Sequence, residues 1–235
     1  MKKWLIGLGV AIFIGLVIWF LFEKQITSTF IYYNVTTRVT GDDLNDVPNQ
    51  YTLQKTDDVE VKDFISEGLI TVPVLFDTAG KEVEGGAFTD PEINKLIWIS
   101  ESETSLVDGV LNGFSAEEVE GMCAAFAEAS EVTACDSEFD FYRAIMNTKP
   151  QQTHWYSSTR QKVGMAILLP LKKSFGIPQK EFVGSNVSGF MSETSSTTAS
   201  ALVFTDDNSG WYQITFGGYS QAEIDYTLEN IVVEE

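Results

Sequence analysis

The chain has 235 residues, with 34 acidic and 15 basic side chains, a single histidine and a net charge of −19 at pH 7. So negative a chain is repelled by phosphate backbones and anionic headgroups, which argues against nucleic acid as a partner and favours a cationic one or plain solubility. With 16 Phe, 8 Tyr and 5 Trp, it carries enough apolar area for one sizeable core or two small ones.

Met1, Lys2 and Lys3 form a short basic tail, residues 1–3. Residues 4–22, from Trp4 to Phe22, follow without a charge. As a helix this run is about 28 Å long at about 1.5 Å per residue, matching a hydrocarbon core of about 30 Å. It exceeds the roughly 7–15 residues of a secretory h-region. Its exit, Glu23-Lys24, has no small-x-small cleavage pair, so an uncleaved single-pass signal anchor is expected. Trp4 and Trp19 lie near the two ends, where aromatic belts form. The lysines before the span place the N-terminus in the cytoplasm. Gly7, Ala11 and Gly15 recur every four residues, a row through which two such helices can pack as a homodimer.

The expected organisation is then a linker at 23–29 and one extracytoplasmic α+β domain at 30–235, with a sub-boundary near 101–114. The expected location is a bacterial inner (cell) membrane, with the domain in the periplasm or outside the cell. Residues 24–235 hold 13 basic and 33 acidic side chains, a net charge of −20. Cys123 and Cys135 are the only cysteines. In an oxidising compartment an even pair reads as a disulfide, contributing about 3 kcal/mol in the chain-entropy model; two buried thiols are the alternative.

In chain order, the aromatic and β-branched run 30–39 predicts a strand, and 41–50, rich in Asp, Asn and Gly, a loop. Further strands are expected at about 59–64, at 69–76 and at 95–100. Pro73 in the second of these calls for an edge position or a bulge. Ser115 with Glu118 is a capping-box signature. Val119, Met122, Cys123 and Phe126 then recur on one helical face. A second helix is read at 137–146, with Phe139, Tyr142 and Met146 on one side. A third runs from about Ser158 to Phe175, stopped by Lys172, Lys173, Gly176 and Pro178. Its segment 163–171 is apolar nearly all round and reads as a central buried helix, kinked at Pro170. Strands follow at 182–191, 201–205 and 211–216. The polar stretch 192–200 is read as a loop and 206–210 as a hairpin connection. Ser220 with Glu223 opens a final helix with Ile224, Leu228 and Ile231 inward. The fold class is α+β, mainly antiparallel strands with helices on one face.

Chemistry-bearing motifs are sparse. His154 precedes Ser157 and Ser158, but no GxSxG elbow exists, and a serine there caps the helix that follows. Asp136, Glu138 and Asp140 alternate like calcium ligands, yet the glycine and the closing glutamate of an EF-hand are absent. Asp42, Asp43 and Asp46 offer only a weak loop cluster for a cation. With 34 acids a glycosidase-type carboxylate pair cannot be singled out. No catalytic residue, cofactor site or metal site is assigned. Two functions are compatible with these residues. One is a membrane-anchored, non-enzymatic interaction protein binding a cationic protein, as an accessory subunit or an immunity- or inhibitor-like module. The other is a membrane-tethered hydrolase with an acidic site.

Overall fold

The computed structural model describes residues 27, 29–30, 32–34, 42–56, 59–83, 85–102, 104–152, 157–195, 197–205 and 210–234. The apolar run 4–22, with Gly7, Ala11 and Gly15, lies outside the described residues, as does His154. Among the described residues, no helix is long and apolar enough to cross a membrane.

A mixed α+β architecture is built on an eight-stranded sheet. Its strands are β1 (Asn49–Tyr51), β4 (Glu82–Val83), β5 (Ala87–Asp90), β6 (Lys95–Ser102), β7 (Lys180–Val183), β8 (Val187–Ser195), β9 (Thr198–Thr205) and β10 (Trp211–Gly217), in the order β1-β7-β8-β9-β10-β6-β5-β4. All neighbours are antiparallel except β1 and β7, which run parallel. A second antiparallel sheet has the order β11-β3-β2, from β2 (Asp63–Glu67), β3 (Ile70–Val74) and β11 (Val232–Val233).

Period-two alternation gives the large sheet two different faces. Ala199, Ala201 and Val203 of β9 share one face with Tyr212, Ile214 and Phe216 of β10 and with Ile97 and Ile99 of β6. This face is buried beneath the small sheet, which contributes Ile65, Ile70, Val72 and Val74, and beneath Ile224 and Leu228 of the last helix. Phe190 and Phe204 point to the opposite face, into a second core with Phe126, Phe141, Tyr142 and Leu168 of the helical layer. The sheet is therefore sandwiched between two unlike layers, each fully buried large side chain contributing roughly 1.5–3 kcal/mol.

The helical layer comprises α1 (Leu106–Leu111), α2 (Ala116–Ser130), α3 (Glu138–Asn147) and α4 (Thr159–Phe175); α5 (Gln221–Glu229) lies on the other side. Ser115 and Ser220 form complete capping boxes with Glu118 and Glu223. Ser137 and Ser158 cap α3 and α4, and Gly176 closes α4 with φ 75°. Helix α4 continues through Pro170, with Leu168 and Leu169 fully buried. Cys123 and Cys135 are joined, with Cα atoms 5.8 Å apart, tying α2 to the loop before α3. Glu131 and Cys135 in that connection have φ of 61° and 74°, in the left-handed region that L-residues rarely adopt.

Several expectations are corrected. Within the expected strand at 30–39, Phe30 and residues 32–34 are helical. Buried Tyr32 packs in the helical core and donates its hydroxyl to the Pro150 carbonyl at 3.1 Å, so tertiary context overrides β-propensity. The strand expected at 59–64 begins at Asp63, its register set by a two-residue turn at Gly68 (φ 55°) and Leu69. The expected strand 182–191 is two strands, broken where the Gly184 amide donates to the Val187 carbonyl at 2.8 Å. The expected loop 192–200 is largely the paired ends of β8 and β9. Strand β1 occupies part of the expected loop 41–50. Helices are not confined to one face, because α5 packs with the small sheet. Pro73 sits in the middle strand of the small sheet, but β11 pairs only with Ile70 and Thr71, so β2 is the sole ladder neighbour of β3 at the proline.

Lys172 is fully buried in α4, and its ammonium donates to the carbonyls of Leu44 (3.0 Å), Asp46 (2.6 Å) and Thr148 (2.8 Å). It thereby joins the 3-10 turn Asp42–Asn45 and the end of α3 to the central helix. Lys172→Met keeps the stem and strands three carbonyls. We expect a loss of about 2–5 kcal/mol, and a Tm lowered by roughly 5–15 °C in thermal denaturation.

Candidate functional site

The buried carboxylates hold the fold together. Glu138 lies beneath the start of α1, accepting from the Leu106 amide at 2.8 Å and from the Ser105 hydroxyl. A carboxylate here complements the positive end of the helix. Glu181 faces Arg143, whose Nε lies 2.9 Å from Oε1; the Nε–H is not aligned on a hydrogen-bond acceptor, so the pair is a charge contact. Asp225 accepts from the Tyr51 hydroxyl (2.6 Å), the Gln54 amide (3.0 Å) and Gln221 (2.7 Å), tying α5 to the first strand. Burial, reinforced by that carboxylate, pushes the Tyr51 phenol well above its ordinary range. Asp90 pairs with Lys81 at 2.5 Å, which holds its carboxyl below the usual range.

One stretch of the chain lacks bases altogether. Between Lys95 and Arg143 the chain has eleven acidic residues and no basic one. Helix α2 exposes Glu117, Glu118, Glu120 and Glu128, while Glu131, Asp108 and Asp136 are exposed nearby in sequence. Helix α2 and its flanks thus form a base-free acidic stretch, whereas α3 and α4 carry Arg143, Arg160, Lys162, Lys172 and Lys173. Counting bases along the sequence finds this gap, whereas total net charge does not.

A cleft of about 430 Å³ opens where the helical layer ends on the sheet. Leu106, Phe175, Leu202 and Trp211 are among its apolar walls, and Ser192, Ser200 and Gln213 present polar groups. Tyr142 is the only titratable lining residue, and burial pushes its phenol far above neutrality. The Trp211 indole is fixed by donating to the Thr104 carbonyl at 3.0 Å, and its ring stacks on Phe204. Such a lining takes uncharged or apolar groups and offers hydroxyl and amide hydrogen bonds.

Of the residues singled out from sequence, Cys123 and Cys135 are brought together and bonded. Asp136 is exposed and Glu138 is buried under α1, so the alternating acids at 136–140 do not converge. The side chains of Asp42 and Asp43 lie outside the described ones, and the Asp46 carbonyl accepts from Lys172. No group of three or more His, Cys, Asp or Glu among the described residues is arranged to hold a metal ion. No catalytic motif marks the cleft in the sequence, because its lining is Ser, Gln, Trp and Leu from separate strands; the alternation of polar and apolar residues along β9 and β10 is the one local sign of a face turned from the core. Comparison of the chain with protein-family models, curated proteins and solved structures finds no match.

Acid should unfold this domain through identifiable groups. The side-chain hydrogen bond from Thr78 leads the effects holding Asp63 below the usual carboxylate range, and the Ser115 amide does the same for Glu118. Burial alone would raise Glu223, but bonds from Lys95 and Ser220 outweigh it and lower it. With folded pKa values below the unfolded ones, this stability is fully present above about pH 5 and is lost as pH falls through the folded values. Thermal denaturation should show a steady Tm from pH 7 to about 5.5 and a decline below about 4.5, less steep in Ser220→Ala.

Proposed function

We propose that this chain is a single-pass, membrane-anchored interaction protein whose domain, residues 30–235, works outside the cytoplasm and binds a basic protein without catalysis of its own. Residues 4–22 serve as the anchor, in a bacterial inner (cell) membrane with Lys2 and Lys3 in the cytoplasm. The disulfide supports an oxidising compartment. The observation that carries the partner's chemistry is the acidic stretch centred on α2, part of a run of eleven acids without a base between Lys95 and Arg143, with Glu117, Glu118, Glu120, Glu128 and Glu131 exposed. Such a field steers a cationic partner and speeds its association at low salt. The alternative, a tethered hydrolase with an acidic site, finds less support, since the buried carboxylates Glu138, Glu181, Asp225 and Asp90 are each held by structural partners.

Topology is tested by adding protease to intact spheroplasts. The chain beyond about residue 30 should be digested while the lysine-bearing end stays protected; a domain that resists until lysis reverses the orientation. The partner is tested with the full-length chain in lipid nanodiscs, used to capture proteins from extracts at low and high salt. Captured partners should be basic, and association should slow as salt rises and the Debye length shrinks to about 8 Å at 0.15 M. Replacing the exposed Glu120 and Glu131 together by Lys should slow association several-fold at low salt with Tm close to the parent. Acidic partners, or rates indifferent to salt, would sink the reading.

A further inference from the structure

Half of one face of the large sheet carries no covering layer among the described residues, and its composition departs from the rest of the molecule. The cross-strand register sets out one row as Ala87, Trp98, Thr215, Ser200 and Ser192, from β5 across to β8. The next row is Ser100, Gln213 and Leu202, and Ser102 and Trp211 follow beside it. Every one of these side chains is only half-buried. None is charged, in a chain whose residues are 21% charged and whose net charge is −19. Neither a cation nor an anion would find a counter-charge here, so the electrostatic match is to a neutral ligand.

The aromatic groups on this face are pre-set. The Trp98 indole donates to the Gly85 carbonyl at 2.9 Å, and the Trp211 indole is held by Thr104. Each ring's one polar atom is thus satisfied within the protein, leaving its apolar body for contact and little entropy to lose on binding. Trp98 is flanked in register by Ala87 and Thr215, small residues that do not cover the ring. Around the rings stand hydroxyls and one amide, and Gln213 already donates to Ser200 at 3.3 Å, so donor and acceptor directions are ordered. Hollows open at both ends of the face. The cleft of about 430 Å³ lies at Trp211, and one of about 330 Å³ lies at Thr89, Leu96, Thr198 and Gly217. Lys95 borders the second hollow but is engaged with Glu223. From Trp211 to Gly217 the face is about 20 Å long at about 3.3 Å per residue.

We propose that this face binds a neutral polysaccharide chain, one whose equatorial linkages give it flat, C–H-lined ring faces. The flat ring faces lie on Trp98 and Trp211, and the ring hydroxyls exchange hydrogen bonds with Ser192, Ser200, Gln213 and Thr215. A sugar polymer combines uncharged polar rims with apolar faces, and this surface combines the complementary groups at matching scale. The site is separate from the acidic stretch around α2 and does not rest on the partner proposed there.

The test is isothermal titration of the full-length chain in nanodiscs with cellohexaose and with chitohexaose. At least one should bind saturably, in the micromolar to low millimolar range, with affinity unchanged between about 0.05 and 0.5 M salt. Trp98→Ala should weaken binding about tenfold or more, and Gln213→Ala, which leaves the aromatic packing in place, several-fold, each with Tm close to the parent. Reversing Glu120 and Glu131 to Lys should leave sugar binding intact. Lack of saturable binding by either hexamer, binding that fades with salt, or binding indifferent to both Trp98→Ala and Gln213→Ala would overturn the proposal.

Discussion

The helical layer depends on one point of contact. Where α4 crosses α2, Gly164 has no room for a side chain; a Cβ there would be driven into the Ala125 carbonyl and against the Ala129 methyl. Backbone therefore lies on backbone, and the small residues Ala125 and Ala129 on α2 match the absence of a Cβ on α4. That approach seats Met165, Leu168 and Leu169 over the aromatic cluster of Phe126, Phe141 and Tyr142, which in turn covers Phe190 and Phe204 of the sheet. It also sets the position of Lys172 two turns further along, where the chain's early segment and the end of α3 are gathered. Close packing of this kind tolerates little added volume, so α4 acts as a fixed spine.

The layer that this spine positions is compact and does not span the sheet. It covers the β7–β8–β9 side at Phe190 and Phe204 and stops near Trp211, so β6 and β10 present their outward residues to solvent. The opposite face has no such gap, because the small sheet and α5 fill it. An antiparallel sheet permits this asymmetry, since its alternation can serve an apolar core on one side and water on the other. The acids divide along similar lines. Glu118, Glu138 and Glu223 sit at helix N-termini where the backbone amides favour negative charge, and these would be acidic in any version of this fold. Glu117 also lies in the first turn of α2, and Glu128 accepts from the hydroxyl of Ser158 at the start of α4, whereas the exposed carboxylates of Glu120 and Glu131 make no hydrogen bond or ion pair among the described contacts and add only to the field around α2.

Local chemistry was legible in the residues wherever a motif acts within one turn of chain. The capping boxes at Ser115 and Ser220, the glycine stop at Gly176 and the bridge between Cys123 and Cys135 all stand as the sequence led one to expect. Strand boundaries at 182–200 were not, and the reason is physical. Ser192, Ser200 and their neighbours look like loop residues only if both faces of a strand must be apolar; on an uncovered face, serine and threonine are what alternation demands. Likewise the aromatic, β-branched stretch near Tyr32 reads as strand by propensity, yet its ring belongs to a helical core contributed by distant residues, from Leu111 to Phe204. The neutral face was invisible for the same cause, since it is assembled from five strands whose order, β8-β9-β10-β6-β5, is not their order in the chain.

The two proposed contacts make different demands on solvent, so one domain can carry both. Attraction by the acidic stretch around α2 decays over a Debye length, about 8 Å at physiological salt, so it selects partners by sign before contact. Stacking on Trp98 and Trp211 acts only at contact and is indifferent to ionic strength, because it draws on apolar area and ordered hydroxyls rather than charge. A neutral polymer therefore approaches this strongly negative molecule without penalty, whereas a polyanion is turned away before it reaches the rings. On the proposed reading, in which residues 4–22 hold the domain to a surface, the pairing has a further consequence. Weak contact with an extended polymer restricts where the domain sits, and a second, charge-steered encounter then takes place at the raised effective concentration that restriction provides, with no need for either contact to be tight.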